Sequence, residues 1–244
     1  MDMNRFSEDC LAWQLFLRSK GWKLAADGIC GDHTRGATAE FQVEHGLRAD
    51  GLLGGQTLKA ASSLGFRPAS WPARPTFAPL SAAGRRQLFG AFKFVDAPVE
   101  GNPEAIRILG DWEERNIVRV QLPGIEKVTG GPRGGVRFHR LAAEQLKTLW
   151  QRWDDAGLLD RVLTWDGSFV ARRIRGSRSI SMHAYGAAFD INCNWNGLGT
   201  RPALLFERGC VRELVQIAVQ HGFYWGGWFS RRDGMHFEVR EIKR

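Results

Sequence analysis

The sequence predicts an α+β protein: a small N-terminal three-helix bundle, then a domain whose mainly antiparallel sheet is flanked by helices. Three observations carry that prediction. A turn motif occurs twice within the first 66 residues, with helix-periodic apolar residues around both copies. Prolines crowd the short stretch that follows. Beyond the prolines, amphipathic segments of helical length alternate with short strand-like runs.

The elements can be justified in order. Leu11, Gln14, Leu15 and Leu17 sit at helical spacing in the opening segment. "DGICGDHT" (27–34) and "DGLLGGQT" (50–57) both read D-G-x-x-G-x-x-T. Asp-Gly favours a tight turn, and the Thr or a polar residue before it can cap the helix that follows. Ala37, Phe41 and Val43 are the expected inner residues of the second helix, and Leu58, Ala61 and Leu64 those of the third, so residues 1–66 form one bundle. In "FRPASWPARPTFAPL" (66–80), Pro68, Pro72, Pro75 and Pro79 remove backbone donors and favour extended chain. Residues 67–80 are therefore a semi-rigid linker, and 81–244 the second domain.

Within that domain, Gly130, Gly131, Pro132, Gly134 and Gly135 mark a loop. "RLAAEQLKTLWQRWDDAG" (140–157) sets Leu141, Leu146, Leu149, Trp150 and Trp153 on one helical face and stops at Gly157. A further helix is expected through 202–222, also ending at a glycine. Strand-like runs occupy 116–122, 161–165, 187–192 and 235–242.

Bulk properties bound the function. With 43% hydrophobic and 25% charged residues the chain has an ordinary globular composition, and no apolar run approaches the ~18 residues of a membrane span. The 10 Trp and 15 Phe predict aromatic cores or an aromatic-walled cleft. The N-terminus lacks the basic start and apolar core of a secretory signal, which predicts synthesis in the cytosol. A net charge of +8 suggests an anionic partner, either nucleic acid or a bacterial cell surface. The basic residues are spread along the chain, and no zinc-finger, RNA-recognition or basic-zipper signature occurs, which argues against nucleic acid. Cys10, Cys30, Cys193 and Cys210 form no C-x-x-C pair, and four reduced, mostly buried thiols are expected, none binding metal.

Of six histidines, His33 and His45 read as helix-surface residues, His139 precedes a helix, and His221 sits where a cation suits a helix C-terminus. That leaves His183, in "SMHAYGAAFD" (181–190), and His236, in "RRDGMHFEV". With Asp190 they supply two imidazoles and a carboxylate, a donor set suited to zinc with a fourth position for water. Asp233, three residues before His236, is placed to act as a general base. On spacing alone, two buried histidines hydrogen-bonded in a core remain the alternative.

Two resemblances extend this reading. Trp13-Gln14, Gly21, Asp27-Gly28, Gly31, Thr34, Phe41-Gln42, Gly46-Leu47, Asp50-Gly51, Gly54 and Thr57 resemble the peptidoglycan-binding type 1 domain found beside many cell-wall hydrolases. The second domain resembles the zinc peptidase family of D-alanyl-D-alanine carboxypeptidases and L-alanyl-D-glutamate endopeptidases, which includes VanY-like enzymes and phage endolysins. The family pattern S-x-H-x-x-G-x-A-x-D falls on Ser181, His183, Gly186, Ala188 and Asp190. A W-G-G stretch and acid-x-x-H fall on Trp225-Gly226-Gly227 and Asp233-Gly234-Met235-His236.

The likeness implies Zn2+ held by His183, Asp190 and His236, with Asp233 as general base where many relatives carry Glu. It implies an arginine that polarises the scissile carbonyl, mapped to Arg172 with Arg175 as rival, and a substrate contact from Ser181. Glu238 is expected behind the ligands, and Trp225 and Trp228 as either cleft wall or core. By this resemblance the chain is expected to be a monomeric zinc peptidase acting on bacterial peptidoglycan. It would cut the L-alanyl-D-glutamate bond as a phage endolysin made in the host cytoplasm and acting on the wall in the periplasm. A cellular D-Ala-D-Ala carboxypeptidase is the first alternative, and a catalytically inactive wall-binding protein the second.

Overall fold

The computed structural model describes residues 6–68, 71–205 and 207–243. The first five residues of the expected bundle, Ala69 and Ser70 of the expected linker, and Phe206 of the expected 202–222 helix lie outside the described residues. The chain divides into two compact units, Met1–Trp71 with Leu204–Glu207, and Pro72–Ala203 with Arg208–Arg244. It is an α+β protein whose first unit is helical.

The first unit contains α1 (Glu8–Ser19), α2 (Asp32–Glu44) and α3 (Gly55–Ser63). Ser7 caps α1 by accepting from the Cys10 N–H. Trp13, Leu17, Phe41, Ala61 and Phe66 fill the core, with the Trp13 ring edge-on to Phe41 at 5.3 Å. On α2 the buried face is Thr34, Ala37, Thr38, Phe41 and Gln42. Val43 falls on the opposite side and is 66% exposed, and Leu64, at the C-cap of α3, is also exposed, so neither is the core residue expected.

The repeated turn motif has a physical cause in two buried glutamines. The Gln14 side-chain amide donates to Asp27 Oδ1, the Ile29 carbonyl and Thr34 Oγ1, while its Oε1 accepts from the Gly28 N–H at 2.8 Å. Gln42 does the same with Asp50, Leu52, Thr57 and the Gly51 N–H. Each D-G-x-x-G-x-x-T copy thus satisfies one glutamine from the preceding helix, as a buried amide requires.

Cys10 and Cys30 form a disulfide with their Cα atoms 5.8 Å apart, which corrects the expectation of four reduced thiols. That expectation rested on compartment, whereas the turn after Asp27-Gly28 brings Cys30 back beside α1. Cys193 and Cys210 form no disulfide among the described residues.

In the second unit, residues of the prolyl stretch are tied down: the Pro72 carbonyl accepts from Trp228 Nε1 and the Ala73 carbonyl from Gln216 Nε2. There follow α4 (Ala82–Phe89), β1 (Lys93–Asp96), β2 (Ile106–Leu109), α5 (Trp112–Asn116), β3 (Ile117–Val120), β4 (Val136–His139) and α6 (Ala143–Asp155). Next come β5 (Trp165–Gly167), β6 (Ala188–Ile191), α7 (Cys193–Asn196), α8 (Arg212–Gln220), β7 (Phe223–Trp225) and β8 (His236–Val239). β1 pairs with β2 and β3 with β4. The principal sheet runs β5-β6-β8-β7, and all these pairings are antiparallel.

Alternation along the principal sheet decides what faces where. Phe189 and Phe237 are cross-strand partners, stacked at 5.3 Å and packed with Trp153 of α6. The neighbouring partners, Asp190 and His236, therefore point to the other face. Four departures from expectation stand out. The helix expected over 202–222 begins only at Arg212: Gly209 is left-handed (φ 79°), and a Cβ there would run into the Trp195 ring. Leu141 lies in a 3-10 turn before α6 and is 41% exposed. Most of 161–165 is turn and loop, with strand starting only at Trp165. The short strands β1, β2, β4 and β7 were not expected.

Candidate metal centre

Three local devices build the site. His183 lies on a 3-10 turn, Met182–Tyr185, whose N-cap Ser181 accepts from the His183 N–H through Oγ. The chain then reverses at Gly186 (φ 62°), where a Cβ would sit 2.6 Å from Ile117 Cδ1. That reversal feeds β6 and brings Asp190 beside His183. Asp190 stands directly across from His236 in the β6–β8 register. Finally, the Asp233 turn is held against the 3-10 turn Gly226–Trp228: the Asp233 N–H donates to the Gly226 carbonyl at 3.0 Å. A Cβ on Gly226 would lie 2.5 Å from the Asp233 carbonyl oxygen and 3.1 Å from the His236 Cβ. The W-G-G glycine is thus needed for close approach.

The donor atoms converge. His183 Nε2 lies 3.1 Å from His236 Nδ1 and 3.2 Å from Asp190 Oδ2, and His236 Nδ1 lies 2.9 Å from Asp190 Oδ1. Ligand atoms ~2.0–2.1 Å from a tetrahedral ion are about 3.3 Å apart, so the spacing fits a metal such as zinc. The outward nitrogens are also engaged: His183 Nδ1 is 2.7 Å from the Ser168 carbonyl, and His236 Nε2 is 3.1 Å from Glu238 Oε2. Such partners fix ring orientation and tautomer, leaving Nε2 of one histidine and Nδ1 of the other facing the shared point.

Electrostatics favour a cation there. Burial opposes ionisation of Asp190, yet His183 and His236 hold it well below the usual carboxylate range. Burial likewise works against charging His236, but Asp190 and Glu238 overcome it and push that imidazole up to about 10. Burial, reinforced by Asp190, pushes the Asp233 carboxyl above its ordinary value, against the pull of His236, His183 and Arg172. Asp233 Oδ1 is buried with no hydrogen-bond partner among the described residues, an orphaned acceptor that awaits a donor.

A cavity of about 270 Å³ opens onto the centre, lined among others by Asp190, His236, Asp233, Arg172, Arg175 and Ser181. The structure therefore brings Asp190, His236, Asp233, Ser181 and both rival arginines to one cavity, with His183 against Asp190 and His236. Burial lowers the pKa of the Arg172 guanidinium, and Asp190 and Asp233 oppose that shift. Trp225 and Trp228 are buried in the core, with Trp225 Nε1 donating to the Gly234 carbonyl at 2.7 Å. The aromatic ring that lines the cavity is Phe229, which sequence reasoning did not single out. Arg85, from α4 far upstream, lines it too and was also missed. His139 is fully buried with Nε2 3.3 Å from the Phe89 carbonyl, and His221 Nδ1 bonds back to the Ile217 carbonyl. Neither lines the cavity.

Comparison with protein-family models gives two matches. Residues 7–61 match a putative peptidoglycan binding domain, and residues 175–239 match D-alanyl-D-alanine carboxypeptidase. The second match contains His183, Asp190, Asp233 and His236, while Arg172 lies just before it. Comparison with curated proteins gives no match. Peptidases of this family are metallopeptidases, typically of zinc, and the two matches together support a peptidase acting on peptidoglycan. Family and domain order agree: residues 7–61 are similar to the peptidoglycan-binding domains and residues 175–239 to the D-alanyl-D-alanine carboxypeptidase family of peptidases.

Proposed function

We propose that the chain is a zinc-dependent peptidoglycan hydrolase that cuts the L-alanyl-D-glutamate bond of the stem peptide, with His183, Asp190 and His236 as the metal ligands. The observation that carries this reading is the convergence of those three donors within 3.2 Å, beside a cavity lined by Asp190, His236, Asp233 and Arg172. A zinc ion held by them supplies a Lewis acid and lowers the pKa of water toward ~7.

The protein's own groups do the rest. Asp233, made more basic by burial and left with an unpartnered oxygen, takes the proton of the attacking water and returns it to the leaving amine. Arg172 orients the scissile carbonyl and stabilises the negative charge that develops on its oxygen, a contribution of ~3–4 kcal/mol in comparable sites. Ser181 holds the His183 turn through its hydroxyl and, from the cavity wall, contacts substrate. The ring of Phe229 forms an apolar part of the cavity wall.

The wall-binding domain would raise the local concentration of the peptidase on an insoluble polymer. An endolysin released to the periplasm fits this pairing, and the Cys10–Cys30 disulfide supports action in an oxidising compartment. No described helix is long and apolar enough to cross a membrane. A monomer suffices, since one chain carries every residue of the site. Mass spectrometry of digested muropeptides tests the bond: new N-terminal D-glutamate is expected. Released D-alanine with an intact L-Ala–D-Glu bond would favour the carboxypeptidase reading, and no cleavage at all the inactive wall-binding one.

A further inference from the structure

A second cavity, of about 340 Å³, borders the first and is unlike it in chemistry. Arg85, Arg86 and Arg178 line it together with Phe92, Phe94 and Tyr185. No Asp or Glu lines it, and none of the three arginines takes part in an ion pair among the described residues. The neighbouring Arg173, by contrast, pairs with Asp96 at 2.7 Å. Like charges around one concavity repel, and a bound anion relieves that repulsion beyond what solvent screening does. Arg85 is spent on structure, with Nη1 donating to the Ile180 carbonyl at 2.9 Å and Nε to the Leu80 carbonyl. Arg86 and Arg178 keep their guanidinium forks for a ligand.

The walls narrow the choice of anion. The Phe92 ring lies 5.0 Å from Tyr185 and 6.2 Å from Phe94. Such a wall suits an aliphatic stem with a charge at its end better than a fully hydrated inorganic ion. Planar guanidinium forks match the two oxygens of a carboxylate. Arg85 lines both cavities, and Ile180 of the second is followed directly by Ser181 of the first. A ligand reaching both is therefore a chain that passes from the metal centre over residues 180–181.

We propose that this cavity is a subsite for a free carboxylate of the peptidoglycan stem peptide, held by Arg86 and Arg178 against the rings of Phe92, Phe94 and Tyr185. The proposal rests on the function proposed above, since the stem peptide carries free carboxylates on its D-glutamate and diamino acid. The subsite would make the protein selective for walls whose stem-peptide carboxylates are not amidated.

The test is a binding cycle that does not depend on cleavage. The probe is L-Ala-γ-D-Glu-diaminopimelate with a reduced, uncuttable Ala–Glu bond, prepared with free carboxylates or with both side carboxylates as amides. Its affinity for the zinc-loaded full chain is measured by calorimetry for wild type, Arg86→Gln and Arg178→Gln. Amidation should weaken binding to wild type about ten-fold, the scale of one hydrogen bond to a charged partner. In the variants the penalty should shrink to about two-fold or less, because the partner is already gone. An equal affinity of wild type for both peptides overturns the proposal, as does a penalty that survives both substitutions. Failure of the enzyme to cut walls would remove the function reading, and the binding cycle would still be read.

Discussion

Replacing Glu238 with Gln removes one negative charge while keeping the side chain's shape. Glu238 is 2% exposed on β8, and its Oε2 lies 3.1 Å from His236 Nε2, the nitrogen turned away from the proposed metal. A hydrogen bond with an ionised partner contributes ~1.5–3 kcal/mol, against ~0.5–1.5 kcal/mol for a neutral one. The difference is about 1–1.5 kcal/mol, or roughly ten-fold in equilibrium, at the lower end of the 10–100-fold loss in metal affinity typical for such partners. Competition against a chelator of known affinity should therefore give a zinc dissociation constant about ten-fold higher for Glu238→Gln. At saturating zinc the rate should stay within about three-fold of wild type, because Asp233 and Arg172 are untouched. Unchanged zinc affinity in a folded variant would refute the view that Glu238 holds His236 with Nδ1 toward the metal.

Three further outcomes follow from the same structure. Asp233→Asn should bind zinc like wild type yet lose about 10²–10⁴-fold in rate, read as release of soluble peptides from purified walls; comparable lysis by a zinc-loaded variant would remove Asp233 as base. Burial holds the His139 imidazole down at about 4, so His139 stays neutral in the folded chain while the unfolded chain protonates near ~6.5. Its contribution to stability is full above ~6.5 and is lost as pH falls toward 4. Urea midpoints should therefore drop across that window, and a His139 NMR titration near ~6.5 in the folded protein would contradict this. Gln42→Ala should destabilise the bundle by about 1–2 kcal/mol, since it removes the partner of the half-buried Gly51 N–H and of the buried Thr57 hydroxyl; a melting curve like that of wild type would count against the glutamine explanation of the repeat.

The site was legible in the sequence where chemistry and periodicity coincide. Asp190 and His236 lie on runs that alternate with Phe189 and Phe237, so a strand reading already sets both donors on one face. Gly186, a fixed position of the family pattern between His183 and Asp190, is the residue at which the chain reverses. The bundle was legible through its repeated turn, although the glutamines that the repeat serves became visible only in the fold. Other parts depend on contacts that spacing does not encode. Trp225 and Trp228 flank glycines in a way that left a cleft wall open beside the core reading, and packing places them in the core. Phe229, Arg85 and the Cys10–Cys30 bond are set by long-range approach. The helix expected from residue 202 failed because the pattern there is apolar without being periodic, and Gly209 must pass close to Trp195.

The most direct test of the central claim is the zinc dependence of wall cleavage by the full chain. Protein stripped of metal and titrated with zinc should gain peptide-releasing activity on purified peptidoglycan in proportion to bound metal. Activity should saturate at one ion per chain and be absent in His183→Ala. Undiminished release after zinc removal, or from the His183 variant, would contradict the metal centre proposed for His183, Asp190 and His236.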